Sequence, residues 1–218
     1  MKLLLAWSSG KDSAWALHVL RERGEAPEAL LTTLNEEADR VAMHGVRREL
    51  LEAQAEAADL PLRQVPLPWP CSNQEYEARM AEACQSAVAE GFDAIAFGDL
   101  FLPEVRAYRE RQLAGSGLAP VFPLWQLDTA LLARQMISGG LRARISVVDT
   151  RVLDASFSGR EFDAALLGAL PAQVDPCGEN GEFHSFAWAG PMFRSPLAVA
   201  TGTTHRAGDF LFTDLLPA

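Results

Sequence analysis

The sequence predicts an α/β protein in which a parallel-sheet amino-terminal portion is followed by a smaller α+β portion. Three observations carry that reading. Short apolar runs at 3–7, 29–34 and 94–97 alternate with segments of helical period. The first and third of these runs end in small residues, Ser8-Ser9-Gly10 and Gly98. After Pro123-Leu124-Trp125 the alternation gives way to a different pattern. Strands separated by helices imply βαβ units with right-handed crossovers, and hence a parallel sheet.

The elements follow in order. Leu3 to Trp7 reads as a strand, Ser8 to Ser13 as a loop, and the stretch beyond as a helix with Trp15, Leu17, Val19 and Leu20 as apolar positions. Ala29 to Leu34 is a second strand, followed by an acidic loop, Glu36-Glu37-Ala38-Asp39. Val46 to Asp59 has helical spacing at Val46, Leu50, Leu51 and Ala55. Leu62 to Leu67 is extended, and Pro66, Pro68 and Pro70 exclude a helix there. Asn73 to Glu90 is a helix with Asn73 as N-cap and Gly91 as the stop.

Ala94 to Phe97 is a buried strand, and Leu102 to Ala114 is a helix ending before Gly115-Ser116-Gly117. Asp128 to Ser138 is a helix, Arg142 to Asp149 a strand, and Glu161 to Leu170 a short helix; the remainder is extended. A boundary near Gln126 divides the chain into 1–126 and 127–218. Trp69, Trp125 and Trp188 are expected in the core or at a hinge.

The bulk numbers narrow the function. A net charge of −10 argues against a broad electrostatic grip on nucleic acid or anionic membrane. Cys71, Cys84 and Cys177 are odd in number and contain no C-x-x-C, which disfavours a disulfide framework or structural zinc and fits a reducing cytoplasm. No segment has the roughly 18 apolar residues of a membrane span.

Ser8-Ser9-Gly10-Lys11-Asp12-Ser13 carries the clearest chemistry. A small-residue loop between a strand and a helix gathers free backbone N–H groups and a positive helix end, a site for phosphate. The G-x-x-x-x-G-K-[ST] pattern fails twice, with Leu5 at the first glycine and Asp12 after Lys11. Lys11 supplies positive charge, the serines supply donors, and Asp12 is a tentative Mg²⁺ ligand or loop anchor. As a loop lysine, Lys11 is expected to contribute little to packing.

Ligands of open parallel sheets bind beyond the carboxyl ends of strands, so the loop and Gly98-Asp99 are expected to face one pocket. Asp99 binds metal or ribose, or caps the next helix. His44 lines the nucleotide pocket or is an ordinary surface or core histidine. Arg106 faces the pocket or solvent. Gly178 to His184 concentrates Glu179, Asn180, Glu182 and His184 between and beside glycines; the carboxylates are placed to hold metal, orient ammonia or accept its proton, against the plain alternative of a hairpin turn with exposed acids.

S-x-G-K-D-S resembles the S-G-G-K-D-S loop of the PP-loop ATP pyrophosphatases, departing only at Ser9. With Met43-His44-Gly45, Gly98-Asp99-Leu100 plus Arg106, and Gly178 to Phe183, the chain resembles the diphthine–ammonia ligase family over nearly its whole length. That resemblance implies a HUP-type (Rossmann-like) nucleotide-binding domain followed by a smaller α+β, acceptor-binding domain. It implies ATP and Mg²⁺ as cofactors, adenylation of a carboxylate with release of pyrophosphate, and transfer of ammonia. The expected catalytic residues are Lys11, Asp12, Glu179 and Glu182. Ser8, Ser9, Gly10, Lys11, Asp12, Ser13, His44, Gly98 and Asp99 are expected on ATP, and Arg106, Asn180 and His184 on the acceptor.

The acceptor is a carboxylate on a small molecule or a protein side chain. The turn departs from the E-G-G-E-Y-E-T of the namesake branch, which leaves the acceptor's identity open. The Ala- and Arg-rich composition points to a bacterial branch, and a homodimer stays open. Two alternatives remain: a PP-loop tRNA-modifying enzyme, disfavoured by charge and cysteine pattern, and a non-catalytic ATP or AMP sensor, disfavoured by the intact Lys11 and Asp12.

Overall fold

A computed structural model describes residues 1–218. The first half is built on β1 (Leu3–Ala6), β2 (Ala29–Asn35), β4 (Leu62–Leu67), β5 (Ala94–Ala96) and β6 (Ala119–Val121), all parallel. Their spatial order is β4-β2-β1-β5-β6, and the two-residue β3 (Arg40–Val41) runs antiparallel at the end of β2. The helices are α1 (Lys11–Glu22), α2 (Arg48–Ala58), α3 (Asn73–Ala89) and α4 (Pro103–Leu113).

β1 is central because Leu3, Leu4 and Leu5 are apolar on both faces, as a strand covered by helices on each side requires. Leu3 and Leu5 enter one core and Leu4 the other. Strand order reverses at β1: the chain moves out to β2 and β4, then returns to β5 on β1's opposite side. The crevice beyond the carboxyl ends of β1 and β5 is therefore where such a sheet binds ligand.

The second half contains α5 (Thr129–Ser138), α6 (Ala164–Ala169) and an antiparallel sheet in the order β8-β7-β10-β9, with β7 at Arg142–Asp149, β8 at Phe183–Ala189, β9 at Val199–Ala207 and β10 at Phe210–Pro217. The protein is thus a mixed α/β fold, with a mainly parallel sheet and a separate antiparallel one. One cluster of 39 buried residues includes Leu3 and Leu5, α1 and α2 side chains, and Ala143, Ile145, Phe183 and Phe186. Both sheets share that core. No helix is long and apolar enough to cross a membrane.

Several local expectations are corrected. The cap of α3 is Ser72, whose Oγ accepts from the Glu75 N–H at 3.1 Å; Asn73 is already helical. The expected 161–170 helix begins only at Ala164, because Glu161 bridges antiparallel to Arg144 and Asp163 caps Leu166. Asp99 caps nothing, since the N-cap of α4 is Leu102. Trp69 lies outside the core, 64% exposed. β3 and β6 are too short to read in the sequence.

Asp214 of β10 ties the halves together. Its carboxylate accepts from Arg40 Nη1 at 2.8 Å and from Arg47 Nε and Nη2 at 3.1 and 2.6 Å. Burial works to raise its pKa, but the two guanidinium groups prevail and hold it at about 2, below the ordinary 3.8. Its stabilising contribution is complete above pH 3.8 and is lost as pH falls through about 2. Asp214→Asn is expected to cost about 1–2 kcal/mol at pH 7, after allowance for solvent screening. In urea melts, the deficit should shrink toward pH 2.

Candidate functional site

A cavity of about 290 Å³ opens at the reversal point. Its floor is the loop after β1: Ser8, Lys11, Asp12 and Ser13 line it. Ser9 sits at φ +66°, the left-handed region, so a small residue at this bend suits the chain's turn into α1. Ser8 Oγ and Ser13 Oγ are 3.1 Å apart, and Ser8 Oγ accepts from the Gly10 N–H at 3.3 Å. The positive end of α1 points to this spot.

Gly98 follows β5 and lies hard against α1. A Cβ there would fall 3.0 Å from both the Asp12 carbonyl carbon and the Ser13 nitrogen. Those are backbone atoms and cannot swing aside. Gly98→Ala is expected to displace the loop, costing about 1–3 kcal/mol and weakening the binding of inorganic pyrophosphate there on the order of tenfold. Calorimetric titration beside a thermal melt measures both.

Lys11 is not the loop lysine of little packing that the sequence suggests. It is the first residue of α1, only 2% exposed. Its Nζ donates to Asp12 Oδ2 at 2.9 Å and to the Cys177 carbonyl, and lies 5.5 and 5.3 Å from the Phe162 and Phe183 ring centres. Burial opposes its charge, yet the neighbouring Asp12 carboxylate and the further pull of Glu179 leave its pKa above the ordinary lysine value. Asp12 is raised by burial against the opposing pull of Lys11, and its Oδ1 is buried without a hydrogen-bond partner.

That orphaned oxygen fits one ligand position of a Mg²⁺ bound chiefly through water and phosphates. No group of three or more His, Cys, Asp or Glu side chains forms a protein-only metal cage.

The turn before β8 forms the opposite wall. Glu179 reaches across to the Gly98 segment, where its Oε1 accepts from the Leu100 and Phe101 N–H groups at 2.7 and 3.4 Å. Burial pushes its carboxyl up to about 7, against those N–H groups. Glu182 turns inward instead, 5% exposed. It accepts from the Asp175 N–H at 2.9 Å and from Asn180 N–H and Nδ2 at 3.0 Å each, so it braces the turn and does not line the cavity. Asn180 is an exposed part of the same brace.

His44 and His184 both line the cavity, their rings 4.6 Å apart. Burial keeps His44 well below the ordinary imidazole value, helped by His184, and holds His184 at about 4. Both are neutral at pH 7. Asp99 lines the cavity 3.6 Å from Arg109, and burial raises its pKa against that guanidinium.

Arg106 is not brought to the site. It pairs with Glu110 at 2.8 Å and lies over Phe122 and Trp125. Arg109, three residues on, takes the cavity position. Helical spacing does not separate the two arginines, since both lie on a polar α4.

Other site residues escaped the sequence reading. Ser185 Oγ accepts from the Lys11 N–H at 3.2 Å. Asp175 shapes the turn by accepting from the Cys177 and Glu179 N–H groups at 2.9 and 3.2 Å and from Thr129 Oγ1 at 2.6 Å. Cys177 is buried, with its thiol pKa pushed up by that burial, as expected of an unreactive cysteine.

Comparison with known proteins adds to this geometry. Residues 1–120 match the family model of the diphthamide synthase N-terminal domain, and residues 128–213 that of the diphthamide synthase C-terminal domain. A Schizosaccharomyces pombe protein named diphthine–ammonia ligase is 24% identical over 233 residues, covering 97% of this chain and 38% of its own length. A Bos taurus protein of the same name is 25% identical over 234 residues, covering 96% of this chain and 88% of its own. This chain therefore spans well under half of the yeast relative. A solved structure described as a predicted subunit of tRNA methyltransferase from Methanocaldococcus jannaschii aligns at a TM-score of 0.45 and 16% identity, over 67% of this chain and 80% of that one.

Proposed function

Because this chain belongs to the diphthamide synthase family, matching both of its domain models in order, we propose that it is an ATP-dependent, amide-forming ligase that activates a carboxylate and transfers ammonia to it. The observation that carries this reading is that one cavity is lined by Ser8, Lys11, Asp12 and Ser13 on one side and by Glu179 and His184 on the other, while Ser9 and Gly10 lie behind it. A phosphate loop and a titratable carboxyl share one cleft, as adenylation followed by aminolysis requires. We assign residues 1–126 to ATP and 127–218 to the acceptor, with the cytoplasm as the site of action.

The chemistry divides between the two walls. In the first step the acceptor's carboxylate oxygen attacks the α-phosphorus, the bond to the β-phosphate oxygen breaks, and pyrophosphate leaves. The N-terminus of α1 and the Lys11 charge stabilise the developing negative charge. Mg²⁺, when bound, would be held by Asp12 and the phosphates and would neutralise phosphate charge. In the second step the nitrogen of ammonia bonds to the acyl carbon, the bond to AMP breaks, and the surplus proton passes to Glu179, whose pKa of about 7 suits a general base.

His44 on the ATP side and His184 on the acceptor side are both uncharged, and their rings face each other at 4.6 Å where the two parts of the cavity join. The relatives' names make diphthine the first acceptor to test, and small carboxylates the second.

The decisive assay incubates the chain with Mg-ATP, ammonium and each acceptor. The expected products are AMP, pyrophosphate and amide in equal amounts. ADP with phosphate as products would overturn the reading. So would tight AMP binding without pyrophosphate release on any acceptor.

A further inference from the structure

Gln54 of α2 is a polar side chain with no exposure at all, and its three hydrogen-bond partners lie at the end of β1, in the phosphate loop and in β8. Its Oε1 accepts from the Trp7 indole N–H at 2.9 Å. Its Nε2 donates to the Ser9 carbonyl at 2.9 Å and to the Ala187 carbonyl of β8 at 2.6 Å. An indole nitrogen only donates and a carbonyl only accepts, so the amide's orientation is fixed by its partners. The site calls for one acceptor and two donors on one short, planar head. Glutamate lacks the donors, and an apolar residue of similar length lacks all three.

We propose that Gln54 is the positioning residue that aims the phosphate loop, and that it couples the loop to β8; this rests on the ATP reading above. The argument is the planarity of one peptide. Across a trans peptide the carbonyl and the following N–H point in opposite directions. The Ser9 carbonyl is held from the protein side by two donors, Gln54 Nε2 and the Ala187 N–H at 3.0 Å. The Gly10 N–H is thereby turned the other way, toward Ser8 Oγ and the cavity that Ser8 lines.

That N–H is one of the groups an incoming phosphate would take. Ser9 sits in the left-handed region, which a serine leaves readily once its carbonyl is released. The same Nε2 also holds β8, which carries His184 and Ser185, so loop and acceptor wall keep a fixed spacing.

The test compares Gln54→Leu and Gln54→Glu with Leu51→Ala, a purely apolar core truncation on the same helix. Mg-ATP and inorganic pyrophosphate are titrated calorimetrically well below each variant's melting temperature. Both Gln54 variants should bind on the order of tenfold more weakly or worse, while Leu51→Ala, although less stable, should bind as the wild type does. Equal affinities across the set would overturn the proposal, as would weakening that merely follows melting temperature.

Should neither Gln54 variant fold, hydrogen exchange on the wild-type chain decides. Mg-ATP should slow exchange at the Trp7 indole and the Ala187 amide, and unchanged rates there would overturn the proposal. If the wild type binds neither ATP nor pyrophosphate, the ATP reading falls and this inference falls with it. Wild-type binding retained undiminished in the Gln54 variants removes this inference alone.

Discussion

Lys11→Ala is expected to abolish pyrophosphate release and also to weaken the fold. The ammonium group is the strongest positive charge at the loop, and removing such a transition-state contact costs at least about 10²–10³ in rate. The stability loss follows from burial. Lys11 pairs with Asp12 at 2.9 Å and donates to the Cys177 carbonyl from a position almost closed to water. Truncation leaves the largely buried Asp12 carboxylate and that carbonyl without their partner, at a cost of about 3 kcal/mol. For a chain of this length that is a fall of roughly 6–12 °C in melting temperature. Rates measured at 20 °C on folded protein separate the two effects. An unaltered melting curve would contradict the buried placement of Lys11, and unaltered turnover would contradict its role at the phosphate.

Glu179→Gln should leave ATP binding nearly intact and lower amide formation by about 10²–10⁴. Glutamine retains an oxygen for the Leu100 N–H but cannot accept a proton. In the wild type the rate should rise as pH climbs through about 7, the value to which burial pushes this carboxyl. Stability moves the other way. A folded-state pKa raised from 4.5 to about 7 means the folded chain holds this proton more tightly. The group's stabilising contribution is therefore complete below pH 4.5 and lost as pH rises through about 7. Between pH 5 and 8 the Gln variant should gain stability relative to the wild type. Parallel melting profiles, or turnover that stays flat across pH 7 in the wild type, would remove Glu179 from the role of base.

The parallel sheet was legible because β1 is buried on both faces and so reads as an unbroken apolar run, and because helical period returns between strands. Gly98 was visible for a steric reason: a strand ending in glycine permits the close approach to α1 that the structure shows. What stayed hidden depends on contacts across long stretches of chain. Nothing local tells Glu179, which reaches the Leu100 N–H, from Glu182, which turns back onto Asp175 and Asn180. Arg106 and Arg109 share a helix whose polar residues run nearly all round, so period could not say which one faces the cavity. Lys11 read as a loop residue because its burial is supplied by Phe162, Phe183 and Cys177, more than 150 positions away.

The hydrogen bond from the Ala187 N–H to the Ser9 carbonyl has a consequence for how this architecture can diversify. A strand of the second half completes the loop of the first, so the two halves are not interchangeable modules. Recombination that replaced residues 127–218 with a foreign domain would remove a support of the Ser8–Ser13 loop along with the cavity wall opposite it. Point substitution on the cavity face of 178–185 instead keeps the β8 backbone, and with it the Ala187 support, in place. Within such a lineage, His184 can be exchanged without touching the Ala187 N–H that holds Ser9, while Glu179 stays with the chemistry.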